Sequence, residues 1–372
     1  MARIGILITG GGTAGHIYPL LAVAKKLPPE TDVRYFGNPG DFAADLEENN
    51  IRVTRIISSK LRRYASIKNI LDFFKFFLGL FEALGKVFLF MPNVVFSKGG
   101  PGALPVVLAA RFYRIPVVIH ESDSIPGRTN AISARLARII ELGFEKSREY
   151  LPRTKAKVNV VGNPIRENIT AVQDKNSARE PFGLSPNMPV ILFLGGSQGA
   201  APINDFIFGN AERLLNKFQI IHQVGKNNFG EYKNSYDFIS KDFSDALKKR
   251  YRFYPYLGAN IGDALDAADI VVSRAGSSIF EIAAKGKPAI LVPLSPKIAG
   301  VHQIRNAYIY SDAGAAIVIE EANLLISVFL TQVTRILDSP ELTKKMTVAA
   351  RTFAKPDAAE KIARDIMSLI NH

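Results

Sequence analysis

Two glycine-rich segments of this chain have the residue pattern to cradle a phosphate, and a histidine stands at the exit of the first. The run Ile4-Gly-Ile-Leu-Ile-Thr9 leads into Gly10-Gly-Gly-Thr-Ala-Gly-His16, with a helix opening near Pro19. The run Val190-Ile-Leu-Phe-Leu194 leads into Gly195-Gly-Ser-Gln-Gly-Ala200 and another helical stretch. Each pattern delivers bare backbone N–H groups and the positive end of a helix to the carboxyl edge of a parallel sheet, where phosphates bind. The second loop lacks the lysine of a P-loop, which disfavours triphosphate hydrolysis. The strand following the first loop ends Arg34-Tyr-Phe-Gly-Asn38, with no acid before Asp41 to hold ribose hydroxyls. That counts against a nicotinamide dinucleotide. His16 has two readings, a general base at the loop exit or an imidazole that caps or packs at the helix start. Paired loops at corresponding points of two halves suggest an enzyme that joins two substrates across a cleft, one held by each half.

Three further segments crowd polar groups at strand exits. His120-Glu-Ser-Asp-Ser-Ile-Pro-Gly-Arg-Thr-Asn130 follows the strand Val117–Ile119; it is either a cleft-lining loop or a turn network built on Asp123, Ser124 and Pro126-Gly127. Ser273-Arg-Ala-Gly-Ser-Ser-Ile-Phe-Glu281 follows a strand and starts a helix. Ser278 and Glu281 have capping-box spacing, yet a helix start opening on a cleft also suits a diphosphate, with Glu281 accepting from ribose hydroxyls. Ser197 in the second glycine loop offers a hydroxyl to a diphosphate or a cap to the helix behind it. In His302-Gln-Ile-Arg-Asn-Ala307, Gln303 and Asn306 fall one turn apart, and paired amides suit sugar hydroxyls. Neither metal-ligand spacing nor an Asp-x-Asp motif at a strand end is present.

The elements that must position these groups are legible as alternation. Apolar runs of strand length, among them Val33–Phe36, Val94–Phe96, Val117–His120, Val158–Val161, Val190–Leu194, Ile220–Gln223, Ile270–Ser273 and Ala289–Pro293, alternate with helical stretches. This is the pattern of right-handed crossovers and parallel sheets with helices on both faces. It repeats on either side of the polar stretch Arg166 to Asn187, which places a domain boundary after Gly162-Asn-Pro-Ile-Arg166. Residues Asp357 to Ile370, with Ile362, Ile366, Leu369 and Ile370 at helical spacing, predict a terminal helix.

One segment departs from an ordinary surface helix. Between Ile67 and Phe90 the residues Lys68, Asp72, Lys75, Gly79, Glu82 and Lys86 form one narrow polar stripe, and the rest is mostly Ile, Leu or Phe. The charges argue against a membrane span. Either the helix is a core element covered on both sides, or its apolar face touches a membrane. Lys60, Arg62 and Arg63, just before it, favour docking on an anionic bilayer. The chain has 372 residues, room for two domains, with 47% hydrophobic and 22% charged residues as in folded proteins. Cysteine is absent, so disulfides and thiolate metal sites are excluded. The first apolar run is too short for a signal-peptide core, which predicts a cytoplasmic protein. The net charge of +13 suits nucleic acid, anionic lipid or a phosphorylated substrate. No nucleic-acid motif accompanies it, so nucleic acid is the least favoured of the three.

Taken together and in order, these segments resemble the MurG family of peptidoglycan glycosyltransferases, in glycosyltransferase family 28. The resemblance spans the chain: Gly11-Gly-Thr-Ala-Gly-His16 with Pro19, Ser97-Lys-Gly-Gly100, His120-Glu-Ser-Asp123 with Asn130, Gly162-Asn-Pro164 with Arg166, Gly195-Gly-Ser-Gln-Gly-Ala200, Arg274-Ala-Gly276 with Glu281, and His302-Gln303 with Asn306-Ala307. It implies an α/β, GT-B fold of two Rossmann-like doubly wound domains facing across a cleft. Residues 1–166 would bind acceptor and membrane, 167–355 would bind UDP-GlcNAc, and 356–372 would return as a helix onto the first domain. It implies an inverting transfer of N-acetylglucosamine from UDP-GlcNAc to the 4-hydroxyl of the muramyl residue of lipid I, giving the β-1,4 linkage of lipid II. Carried over by motif position, Thr13, Ala14, Gly15, Asn130, Arg166, Ser197, Ser277, Ser278, Gln303 and Asn306 would contact the donor. Glu281 would hold ribose, His16 would be the base, and no metal or cofactor would be required. The protein would sit peripherally on the cytoplasmic face of the cell membrane. Another GT-B transferase with a different lipid acceptor, or a UDP-sugar epimerase, stand as alternatives.

Overall fold

A computed structural model of the chain describes residues 4–58, 68–295 and 301–370. The chain divides into two compact units, residues 1–166 with 355–372, and residues 167–354. The first unit is built on seven parallel strands: β1 (Gly5–Thr9), β2 (Asp32–Gly37), β3 (Arg52–Arg55), β4 (Val94–Ser97), β5 (Val117–Glu121), β6 (Ile139–Leu142) and β7 (Lys157–Val160), in the order β3-β2-β1-β4-β5-β6-β7. The second carries β8 (Val190–Leu194), β9 (Gln219–Gln223), β10 (Tyr251–Tyr254), β11 (Ile270–Ser273), β12 (Ala289–Leu291) and β13 (Ala316–Val318), in the order β10-β9-β8-β11-β12-β13.

Each sheet reverses its winding once, between β1 and β4 in the first and between β8 and β11 in the second. At such a switch point the loops leaving neighbouring strands diverge to opposite faces and open a crevice at the carboxyl edge. Both glycine loops leave a switch-point strand. The central strands are covered on both faces: Ile6, Leu7 and Ile8 of β1, and Ile191, Leu192 and Phe193 of β8, are fully buried. The edge strands β3 (Arg-Val-Thr-Arg) and β10 (Tyr-Arg-Phe-Tyr) interrupt their apolar residues with arginines, as edges do.

The terminal helix runs Ala358–Ser368 and packs in the first unit on the helix Ala14–Ala24. Its Ile362 and Ile366 are fully buried, and Asp365 accepts from Asn159 at the end of the sheet (2.9 Å).

The apolar segment forms the helix Lys68–Phe90, and its orientation inverts the usual rule. Gly79, Ala83 and Val87 face the unit, and part of the polar stripe turns inward with them. Glu82 accepts from the Ile57 N–H (2.8 Å), and Lys86 donates to the Arg55 carbonyl (2.7 Å). Gly79 lies so close to the Ile57 carbonyl that any side chain would run into it. The phenylalanines point the other way: Phe73, Phe74, Phe81 and Phe88 are each more than half exposed, and Phe112 extends the patch. Among the described residues nothing covers that outer face, which goes against a core helix covered on both sides. Lys60, Arg62 and Arg63, and the Lys68 side chain, lie outside the described residues. Among the described residues no helix is long and apolar enough to cross a membrane.

Candidate active site

In the first unit the loops leaving β1, β4 and β5 enclose a pocket of about 260 Å³. Its backbone demands glycine. Gly100 has φ +92°, and a Cβ there would come within 2.7 Å of the Gly11 nitrogen, so the loops after β1 and β4 touch backbone to backbone. Thr13 is the extended residue before the helix Ala14–Ala24, and its hydroxyl lies 2.8 Å from His16 Nδ1. That contact fixes the imidazole in the first turn, with Nε2 on the Gly100 side of the ring. The first-turn N–H groups at Ala14 and Gly15 have no intrahelical acceptor.

The charges around the pocket are unusual. Lys98, the residue after β4, is only 2% exposed, and its ammonium has no hydrogen-bond partner among the described residues. Burial pulls its pKa down to about 8, against the opposing pull of Glu121 and Asp123. Burial, then the Lys98 charge, push His16 down to about 4, so its imidazole is neutral at pH 7. The same two causes hold His120 well below its ordinary value, while its Nε2 lies 2.8 Å from the Gly162 carbonyl. Burial, then Asp123, raise Glu121 to about 7. Its carboxylate folds the following loop: Oε1 accepts from the Asp123 N–H (2.8 Å), and Oε2 from the Gly127 N–H and Asn130 Nδ2 (2.9 Å each).

In the second unit the loop 195–200 leaves β8 and is pinned by Gln223, whose amide donates to the Gly196 carbonyl (2.9 Å). Gly199, at φ +82°, lies against the Val224 carbonyl with no room for a side chain. Beside it, β11 runs into Arg274 and the helix Ser278–Ala284. Arg274 donates to the Val292 carbonyl (3.0 Å) and pairs with Glu321 (2.5 Å), which ties the loops after β11, β12 and β13 together. A pocket of about 400 Å³, lined by Pro293, Ser295, Ile304 and Glu321 among others, adjoins these loops.

The predicted residues thus fall into two sets. His16 and Asn130 line the pocket of the first unit, Thr13 reaches it through its contact with His16, Ala14 and Gly15 lie between those two in the chain, and in that unit the Arg166 guanidinium lies 4.4 Å over the Tyr18 ring. Ser197, Ser277, Ser278, Glu281 and Gln303 stand at the carboxyl edge of the second sheet. Three local readings are corrected. The capping box does not form: Ser278 lies inside the helix, and its hydroxyl donates back to the Arg274 carbonyl (3.3 Å). Ser197 is not a cap either, since Ala200 occupies that position. Asn306 does not share an open face with Gln303. It is fully buried, and its amide donates to the Ala275 carbonyl (3.0 Å), so it shapes the loop after β11. Asn130 is nearly as buried (5% exposed), but its Oδ1 has no partner and it lines the pocket. The sequence motifs contain Lys98, Glu121 and Arg274 without assigning them a site role; the signal for each is a charged residue at the exit of an apolar strand. Among the described residues no cluster of three or more His, Asp or Glu side chains could hold a metal.

Residues 6–140 match the glycosyltransferase family 28 N-terminal domain, and residues 190–362 match the family 28 C-terminal domain. The chain belongs to glycosyltransferase family 28. A relative from Clostridium botulinum, a UDP-N-acetylglucosamine--N-acetylmuramyl-(pentapeptide) pyrophosphoryl-undecaprenol N-acetylglucosamine transferase, is 38% identical over 90% of each chain. The crystal structure of Acinetobacter baumannii MurG is 27% identical, with a TM-score of 0.72 over 98% of this chain and 99% of that one. These likenesses establish the GT-B α/β fold for this family 28 protein. The UDP-GlcNAc 2-epimerase of Neisseria meningitidis, at 16% identity and a TM-score of 0.66, covers 98% of this chain and 99% of its own and shares the fold alone.

Proposed function

We propose that this family 28 glycosyltransferase moves N-acetylglucosamine from UDP-GlcNAc to the 4-hydroxyl of the muramyl residue of lipid I, forming lipid II. The observation that carries the reading is close likeness, over nine-tenths of both chains, to relatives named for that transfer. The chemistry of the site residues suits it. The acceptor hydroxyl attacks the anomeric carbon, the bond from that carbon to the UDP oxygen breaks, and configuration inverts to β-1,4. The hydroxyl proton passes to Nε2 of His16, whose other nitrogen is held by Thr13. An imidazole that is neutral at pH 7 has the protonation state that a base requires. Negative charge developing on the departing diphosphate is stabilised by main-chain N–H groups of the 195–200 loop and the helix start at Ser277 and Ser278. Glu281 accepts from ribose hydroxyls, and Ser197 and Gln303 add polar contacts to the donor. In the first unit the helix start at Thr13, Ala14 and Gly15, with Asn130 and Arg166, presents further donors to bound substrate. The exposed phenylalanine face of the Lys68–Phe90 helix seats the protein peripherally on the cytoplasmic face of the membrane, where a polyprenyl acceptor resides. Nucleic acid has no part in this reading.

The test is UDP release from UDP-GlcNAc by purified protein, with and without a lipid I analogue. Acceptor-dependent release with a disaccharide product is expected. Conversion of UDP-GlcNAc without acceptor would indicate an epimerase, and no release across several detergents would overturn the assignment.

A further inference from the structure

Lys98 is the least explained charge in the molecule. Almost no lysine is buried without a partner, because an ammonium taken out of water needs compensation. Here the ammonium is 2% exposed, has no hydrogen-bond partner among the described residues, and lines the pocket that also holds His16 and Asn130. The groups that face this pocket are His16 from the first helix, Glu121 and Asp123 from the end of β5, and Arg128 from the next helix; His120 acts on the same charge from within β5. Glu121 is a poor counter-ion, since its two oxygens already accept three N–H groups that fold the loop. Asn130 Oδ1, also buried and without a partner, adds a second unsatisfied polar atom on the wall. The pocket therefore holds a cation and the open end of a helix, and its own carboxylates do not close on that cation.

We propose that Lys98 receives a phosphate oxygen of the acceptor in this pocket, and that the anion it holds prepares His16 to take a proton. This rests on the transferase reading above. The physical link is Coulombic. Burial is the larger reason that His16 is a weak base in the free protein, and the Lys98 charge adds to it by disfavouring an imidazolium beside it. An anion on Lys98 cancels that repulsion. Basicity then arrives with the substrate, and the empty pocket carries a base too weak to deprotonate adventitious hydroxyls.

The experiment follows the imidazole itself, so it does not depend on turnover. In the full chain labelled with ¹⁵N-histidine, the His16 resonance is assigned with His16→Gln and titrated against pH. Titrations are run alone, with inorganic phosphate, with pyrophosphate, with UDP, and with a soluble nucleotide-free diphospho-sugar. Saturating pyrophosphate is expected to raise the His16 midpoint by a pH unit or more, while His222, in the other unit, stays put. A response to the nucleotide-free diphospho-sugar at lower concentration than to phosphate or UDP assigns the site to the acceptor's diphosphate; a tighter response to UDP, or an equal response to all of them, overturns the acceptor assignment. In Lys98→Met the midpoint starts higher and does not move; Lys98→Arg, which keeps the charge, retains the shift. A wild-type midpoint indifferent to pyrophosphate, or an equal shift in Lys98→Met, overturns the proposal. If titration behaves as expected but UDP release fails, the transferase reading falls and the anion site stands.

Discussion

Replacing Phe74 and Phe81 together with serine separates the two roles that an apolar helix can have. These rings are 61% and 68% exposed, on the face opposite the buried Ala83 and Val87. With roughly 200 Å² per phenylalanine, the pair leaves about 250 Å² of apolar surface in water. At ~25 cal/mol/Å², complete transfer of that surface to an apolar phase contributes about 6 kcal/mol. Rings that reach only the boundary of the acyl region realise about half, ~3 kcal/mol, or on the order of a hundredfold in partitioning. Stability should hardly change, by about 0.5 kcal/mol or less, because neither ring is packed in the core. Val87→Ser is the contrast: it buries a hydroxyl and opens a cavity, at a cost of roughly 2–4 kcal/mol. The assay is flotation with vesicles containing anionic phospholipid, alongside melting by calorimetry. The double serine variant should lose flotation and keep its melting temperature; Val87→Ser should lose stability. Unchanged flotation in the double variant would refute membrane docking by this face, and a melting loss equal to that of Val87→Ser would show that the face is covered in solution.

His16→Ala should lower kcat by about 10²–10⁴ and leave UDP-GlcNAc affinity by calorimetry within twofold, as removal of a base does; a mainly binding defect would reassign the residue. Protonated imidazole is inactive as a base, so a midpoint of about 4 keeps the acidic limb of kcat/KM below pH 5; a limb between pH 6 and 7 would show an ordinary histidine in the free enzyme. Glu281→Ala should raise the KM for UDP-GlcNAc at least ~10-fold, the scale of a lost hydrogen bond to a charged group, with the acceptor KM unchanged. Asn306→Leu leaves the Ala275 carbonyl without its donor and should cost about 1–3 kcal/mol of stability, measured by urea unfolding; a neutral substitution would mean that the loop after β11 does not depend on that amide.

The fold class was readable because central parallel strands are apolar on both faces, and such runs need no tertiary information to be seen. Val190–Leu194 and Ile270–Ser273 announce themselves; β3 and β10 do not, since an edge strand has one solvent-facing side and fills it with arginine. The helix Lys68–Phe90 shows a different limit. Periodicity gives the stripe, but it does not say which side of the stripe faces the protein. The inward turn is set by two backbone groups on a distant segment, the Ile57 N–H and the Arg55 carbonyl, which Glu82 and Lys86 satisfy. A local pattern carries no record of those partners.

The relation between Lys98 and His16 was hidden for a topological reason. In the sequence, β1 is followed by β2 and β3, and nothing in the residues near His16 points to a lysine more than eighty positions on. In the sheet, β1 pairs directly with β4 through Thr9 and Ser97, so the residues just beyond each strand end meet at the switch point. That adjacency explains three features at once. It explains why Gly11 and Gly100 must both lack side chains, why His16 feels the Lys98 charge, and why the ammonium is buried. It also yields a discriminating substitution. Gly100→Ala adds a single methyl at φ +92°, where it meets the Gly11 nitrogen at 2.7 Å, and the strained backbone costs about 1–3 kcal/mol. If the two loops act as one site, this methyl should depress turnover and displace the His16 midpoint together, although it removes no functional group. A variant with reduced stability but a normal His16 midpoint would show that the loops merely touch, and that the charge on Lys98 reaches His16 without needing their contact.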